Sequence, residues 1–82
     1  MVQGHVYLVD DNDDIRHHLS IALRRCGLTV DDFESAEIFI EEAVFQKPAV
    51  VLLDMSLPGA NGVKAFEIIR EAGWNTPVIF IS

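Results

Sequence analysis

The run AVVLLD, residues 49–54, constrains the fold more than any other stretch of this chain. Its apolar residues follow one another without polar alternation. A strand with one solvated face alternates, whereas a strand buried on both faces does not, so the run reads as a central strand of a parallel sheet. It also ends abruptly on a carboxylate, Asp54, and the turn-forming residues Pro58, Gly59, Asn61 and Gly62 follow. The first strand-like run, HVYLVDD, closes in the same way on Asp10 and Asp11, with Asp13 and Asp14 just behind.

The segments between these runs carry helical periodicity. Residues 5–10 are rich in β-branched and aromatic side chains and predict a strand. Ile15, Leu19, Ala22, Leu23 and Cys26 recur at the spacing of one helix face, with Cys26 expected in the core. Either Asn12 or Asp13 can cap this helix, and Gly27 can end it. LTVDDF, residues 28–33, is a weaker strand whose Asp31 and Asp32 suit an exposed sheet edge. Ser35 opens a second helix bearing Ala36, Phe39, Ile40, Ala43 and Val44, and Pro48 precedes the central strand. A third helix is expected from about Val63 to Ala72, stopped by Gly73, and TPVIFIS, residues 76–82, reads as a fourth strand apolar on both faces. His5 is expected to be an exposed strand start, and Trp74 a packing residue. The order β-α-β-α-β-α-β implies right-handed crossovers and one parallel sheet covered by helices on both sides, an α/β fold in a single domain over residues 1–82.

Composition narrows the function. Acidic residues outnumber basic ones by 13 to 6 and leave a formal charge of −7, which argues against nucleic-acid binding by this segment and suits a cation or a basic partner. No apolar run approaches the ~20 residues of a membrane span. The opening MVQGHVYLVDD has no secretory pattern, and Cys26 is the single cysteine, so a cytoplasmic protein without a disulfide framework is expected. His17 and His18 are neighbours on a helix and point about 100° apart, which suits surface residues better than one shared metal ion.

In open α/β sheets the ligand site lies beyond the carboxyl ends of the strands, where the strand order reverses. In a flavodoxin-like order 2-1-3-4 the first and third strands are neighbours, and Asp10, Asp11 and Asp54 converge. Like charges at ~4 Å in a partly buried setting cost several kcal/mol, so the cluster calls for a divalent cation. Oxygen ligands with room for water suit Mg²⁺ or Mn²⁺.

The acidic pair after the first strand, the segment LLDMSLPGANG and the terminal strand ending in Ser82 together resemble the receiver domain of bacterial two-component response regulators. The resemblance covers Val6 to Ser82. It implies that Asp54 is the phosphoacceptor for a histidine kinase, with Asp11 ligating Mg²⁺ directly and Asp10 assisting through water. It further implies a backbone carbonyl ligand from Ser56, a switch hydroxyl at Ser82, and a loop shaped by Pro58 and Gly62. The first helix, with Arg16, His17, His18 and Ser20, would face the kinase. Such a domain catalyses at most its own phosphorylation and dephosphorylation and is not otherwise an enzyme. An aspartyl-nucleophile phosphatase is the weaker alternative, because Ser56 stands where that chemistry uses a second acid.

One departure from the family pattern bears on function. A complete receiver continues through a helix, a fifth strand carrying a lysine that pairs with the phosphoryl group, and a last helix. Here the sequence stops at Ser82, and neither Lys47 nor Lys64 fits that role. The expectation is therefore a receiver truncated after its fourth strand, with VIFI an open apolar edge that leaves the chain dimeric or otherwise self-associated, or else marginally folded. The competing reading is a phosphorylation-defective interaction fragment that self-associates through the same edge.

Overall fold

A computed structural model describes residues 4–42, 49–54 and 62–81. Strands β1 (His5–Val9), β2 (Thr29–Phe33), β3 (Ala49–Asp54) and β4 (Val78–Ile81) alternate with helices α1 (Asp13–Arg25), α2 (Ala36–Glu42) and α3 (Gly62–Glu71). All pairings are parallel and the spatial order is β2-β1-β3-β4. This is the flavodoxin-like arrangement expected from the sequence.

Two clusters of apolar side chains hold the layers together. On one face Tyr7, Val9, Val51 and Leu53 meet Ala36 and Phe39 of α2 and Ala65 and Ile69 of α3, with Trp74 packed against them. The Tyr7, Phe39 and Trp74 rings lie 5.8–6.1 Å apart in tilted and edge-to-face pairs, which confirms Trp74 as a packing residue. On the other face Val6, Leu8 and Val30 form a smaller cluster under Leu19 and Leu23 of α1. β1 pairs on both edges and is buried at every position.

The helix ends follow from local chemistry. Asn12 caps α1, its side chain accepting from the Ile15 amide at 3.0 Å, and the Ser35 hydroxyl accepts from the Ile38 amide at 3.1 Å to start α2. α1 and α3 finish alike. Gly27 and Gly73 take positive φ, 92° and 86°. Their amides and the next ones close paired bonds, Gly27 to Arg24 and Leu28 to Leu23, Gly73 to Arg70 and Trp74 to Ile69. That is the Schellman closure, in which the following apolar residue folds back on the helix.

Several expectations need correction. Cys26 is exposed, because the helix ends at Arg25 and the chain leaves it in a tight turn before residue 26 can rejoin the buried stripe. That stripe is also rotated: Ile15 and Ala22 are exposed, whereas Ser20 is 3% exposed between half-buried Leu19 and Leu23. His5 is buried, since β1 is flanked on both sides. Its Nδ1 lies 2.6 Å from Thr29 Oγ1 and its Nε2 2.9 Å from Asp31 Oδ2 on β2, and its ring stands edge-on to Tyr7. Asp31 and Asp32 do lie on an edge strand, as expected. β3 is buried on only one face: Val51 and Leu53 are fully covered, whereas Val50 and Leu52 face α1 and are half-buried. β4 is the other edge, with Ile79 52% and Phe80 38% exposed.

The Ser20 hydroxyl is buried without a hydrogen-bond partner among the described residues. An unsatisfied buried polar group costs about 1–3 kcal/mol, and alanine removes it with little loss of volume. Ser20→Ala is therefore expected to stabilise the chain by about 1 kcal/mol in urea unfolding; an equal loss of stability would show that the hydroxyl is satisfied in solution.

Candidate functional site at the carboxyl ends of β1 and β3

The register of the two central strands builds the site. Val9 pairs with Leu53, so the next residues, Asp10 and Asp54, come side by side at the carboxyl end of the sheet. Both are buried, at 4% and 3% exposure, while Asp11 is exposed at the rim. Oxygens of these three carboxylates lie within 4.8 Å of one another, the one such acidic or ligand-type cluster among the described residues. The convergence read from the sequence is thus present.

Burial first, and then the neighbouring Asp54 and Asp11 charges, push the Asp10 carboxyl above its usual range. A hydrogen bond between the Asp10 and Asp54 side chains favours the same protonated form. The Asn12 amide opposes it, donating to Asp10 Oδ1 at 2.9 Å. Crowded carboxylates favour the protonated form of the more desolvated member in this way. The donors are hard oxygens on rigid strand ends, with one carboxylate open to solvent, and this set fits a small divalent cation that keeps several waters.

Around this centre the remaining predicted residues divide. Gly62 is buried at the start of α3. Ser56, Pro58 and Ser82, together with Lys47, lie outside the described residues. His17 and His18 are exposed on α1 with their rings 5.8 Å apart. Two members of the expected kinase-facing group are not on that surface: Ser20 is buried, and Arg16 turns inward. The Arg16 guanidinium donates to the Asp10 carbonyl at 2.7 Å, to Asp13 at 2.6 Å and to Asp32 at 3.2 Å. Sequence reasoning missed that role. The only signal was an arginine one turn into a helix that follows an acidic loop, and the third acceptor sits 16 residues away on another strand.

Comparison with known proteins agrees with this geometry. The response regulator protein TodT of Pseudomonas putida is 31% identical over 77 residues, 94% of this chain and 34% of its own length. The DNA-binding transcriptional regulator NtrC of Escherichia coli is 34% identical over the whole chain, which is 18% of its length. The chain therefore spans about a third or less of these relatives. The crystal structure of the response regulator TrrA from Thermotoga maritima, in complex with Mg²⁺ and BeF, superposes with a TM-score of 0.81 at 25% identity, over 93% of this chain and 66% of that one. Residues 6–82 match the response regulator receiver domain. With the 2-1-3-4 sheet and the aspartates at its carboxyl end, the chain belongs to the receiver-domain family of two-component response regulators.

Proposed function

We propose that this chain is a phosphoacceptor that takes a phosphoryl group on Asp54 from a histidine kinase. The observation that carries the reading is the buried Asp10–Asp54 pair with Asp11 at its rim, placed where strand order reverses. In the transfer, an Asp54 carboxylate oxygen attacks the phosphorus of a phosphohistidine. The P–N bond breaks, its electron pair stays on the imidazole nitrogen, and Asp54 becomes an acyl phosphate. Such a transfer depends on positioning and charge neutralisation more than on covalent machinery.

Asp10, Asp11 and Asp54 would hold Mg²⁺ or Mn²⁺, with the Ser56 carbonyl as a further ligand by family resemblance. A bound divalent ion supplies neutralisation of the carboxylates and of the phosphoryl oxygens. The Mg²⁺ and BeF bound to TrrA support the assignment by similarity. The rigid backbone of β1 and β3 sets the carboxylate directions, and the Asn12 amide orients Asp10. His17 and His18 remain on the α1 surface for contact with the kinase. Ser82 would report the modification, and control of transcription is the output suggested by the relative NtrC. No helix among the described residues is long and apolar enough to cross a membrane, and a cytoplasmic location accords with a kinase partner. The domain acts on itself and turns over no separate substrate beyond its phosphodonor.

A second reading is favoured by one observation. β4 has no outer neighbour among the described residues and exposes Ile79 and Phe80. An uncharged apolar edge is a template for pairing, so the chain is proposed to associate with a second copy there, and the extreme form of this reading is an interaction fragment without phosphorylation.

Incubation with Mg²⁺ and acetyl phosphate is expected to add one phosphoryl group by mass spectrometry, and Asp54→Ala to abolish it. A folded chain that gives no adduct would leave the interaction reading. Light scattering is expected to show a dimer that Ile79→Lys returns to monomer; a monomeric wild type would remove the edge-pairing proposal. Because the folded-state pKa of Asp10 is raised, the folded chain holds this proton more tightly than the unfolded one. Without divalent ions, the contribution of Asp10 to stability is then fully present below the ordinary carboxylate pKa and is lost as pH rises through the raised one. Asp10→Asn is expected to raise the neutral-pH Tm in metal-free buffer and to flatten that decline, as thermal melts across pH would show.

A further inference from the structure

The Arg16 guanidinium joins three elements at the base of the acidic site. Nη1 donates to the carbonyl oxygen of Asp10 at the end of β1, Nη2 to Asp13 in the first turn of α1, and Nε to Asp32 on the edge strand β2. Its side chain is 15% exposed, an unusual degree of burial for a cation on the first turn of a helix. The carbonyl it holds belongs to the peptide that links Asp10 to Asp11. The same residue is tied at its amide, which donates to the Phe33 carbonyl at 3.1 Å, and at its carboxylate, which accepts from Asn12. Arg16 therefore completes the fixation of the one peptide from which two of the three converging carboxylates depart.

We infer that Arg16 is a positioning residue for divalent-cation binding: its planar fork locks the Asp10–Asp11 peptide so that both carboxylates are aimed at Asp54 before the ion arrives. The inference rests on the cation-binding reading of the site proposed above. It does not depend on Arg16 reaching the ion, since the fork grips the backbone and the two flanking acids. A lysine could supply the charge but not three donors in one plane. Charge and geometry act here with opposite signs. A cation close to the site opposes a second cation, so by charge alone the removal of Arg16 would tighten metal binding. By positioning, its removal weakens binding, because the carboxylates must then be ordered when the ion binds.

That opposition makes the test decisive. Mn²⁺ alone is titrated into the 82-residue chain and free Mn²⁺ is read by electron paramagnetic resonance, with circular dichroism melts run alongside. Arg16→Ala is expected to weaken Mn²⁺ binding by about 10-fold, and Arg16→Lys to weaken it by a smaller factor although the charge is retained. An Arg16→Ala chain that binds as tightly as wild type, or more tightly, overturns the inference. Should Arg16→Ala fail to fold, Arg16→Lys decides: wild-type affinity in a folded Arg16→Lys chain overturns it. The wild type offers an independent check by NMR, where the Arg16 Nε–H is expected to be visible and slow to exchange, and fast exchange counts against the clamp. A wild-type chain that binds no Mn²⁺ defeats the cation-site reading itself, and the inference with it. Binding by the wild type with no change in the variants defeats only the role of Arg16.

Discussion

The parallel pairing of β1 with β3 is the constraint on which the rest depends. With Val9 opposite Leu53, the two strands that carry the most deeply buried side chains also bring Asp10 and Asp54 together. The two consequences pull against each other. Val6 to Val9 and Val51 to Leu53 gain from exclusion of water, while the carboxylates one step further along lose solvation. The chain meets that loss with a raised Asp10 carboxyl, an amide from Asn12 and a rim residue, Asp11, left in solvent. A carboxylate cluster of this kind is unfavourable without positive charge nearby, and that is the physical basis of the proposed cation site.

The two ends of the sheet are managed differently. At the amino-terminal end, polar groups satisfy one another: His5 bridges Thr29 and Asp31, and Arg70 donates to the Trp74 and Thr76 carbonyls at 2.7 Å while its guanidinium lies 4.9 Å from the centre of the Phe66 ring. At the carboxyl end the carboxylates are crowded instead, and Arg16 donates to backbone and flanking acids there. Burial holds back its charge, but Asp13 and Asp32 more than compensate and keep it firmly protonated. The asymmetry marks the carboxyl end as the candidate site without reference to any ligand.

Much of this was legible because it is local or periodic. The unalternating AVVLLD run, the Asn12 and Ser35 caps and the stops at Gly27 and Gly73 each follow from a few neighbouring residues, and all appear in the structure. The errors at His5, Ser20 and Arg16 share one cause: the surroundings of each residue come from elsewhere in the chain. His5 looked like an exposed strand start because its partners Thr29 and Asp31 are 24 and 26 residues away. Family resemblance placed Arg16 and Ser20 on the kinase-facing surface, whereas the fold turns both inward; Cys26 is a local case, since α1 ends one residue before it.

The sequence by itself determined the alternation of strands and helices, the burial of the third strand on at least one face, and the presence of aspartates at two strand ends. These rest on hydrophobic pattern and turn chemistry, which act over a few residues. Tertiary structure placed Asp10 beside Asp54, which raises the Asp10 carboxyl above its usual range, and made Asp31 and Asp32 partners for His5 and Arg16. It also decided how far each face is covered, leaving Val50 and Leu52 half-buried beneath α1 and Ile79 and Phe80 open at the edge. Electrostatic and solvation energies depend on distances through space, and spacing along the chain does not specify those distances until the sheet has formed.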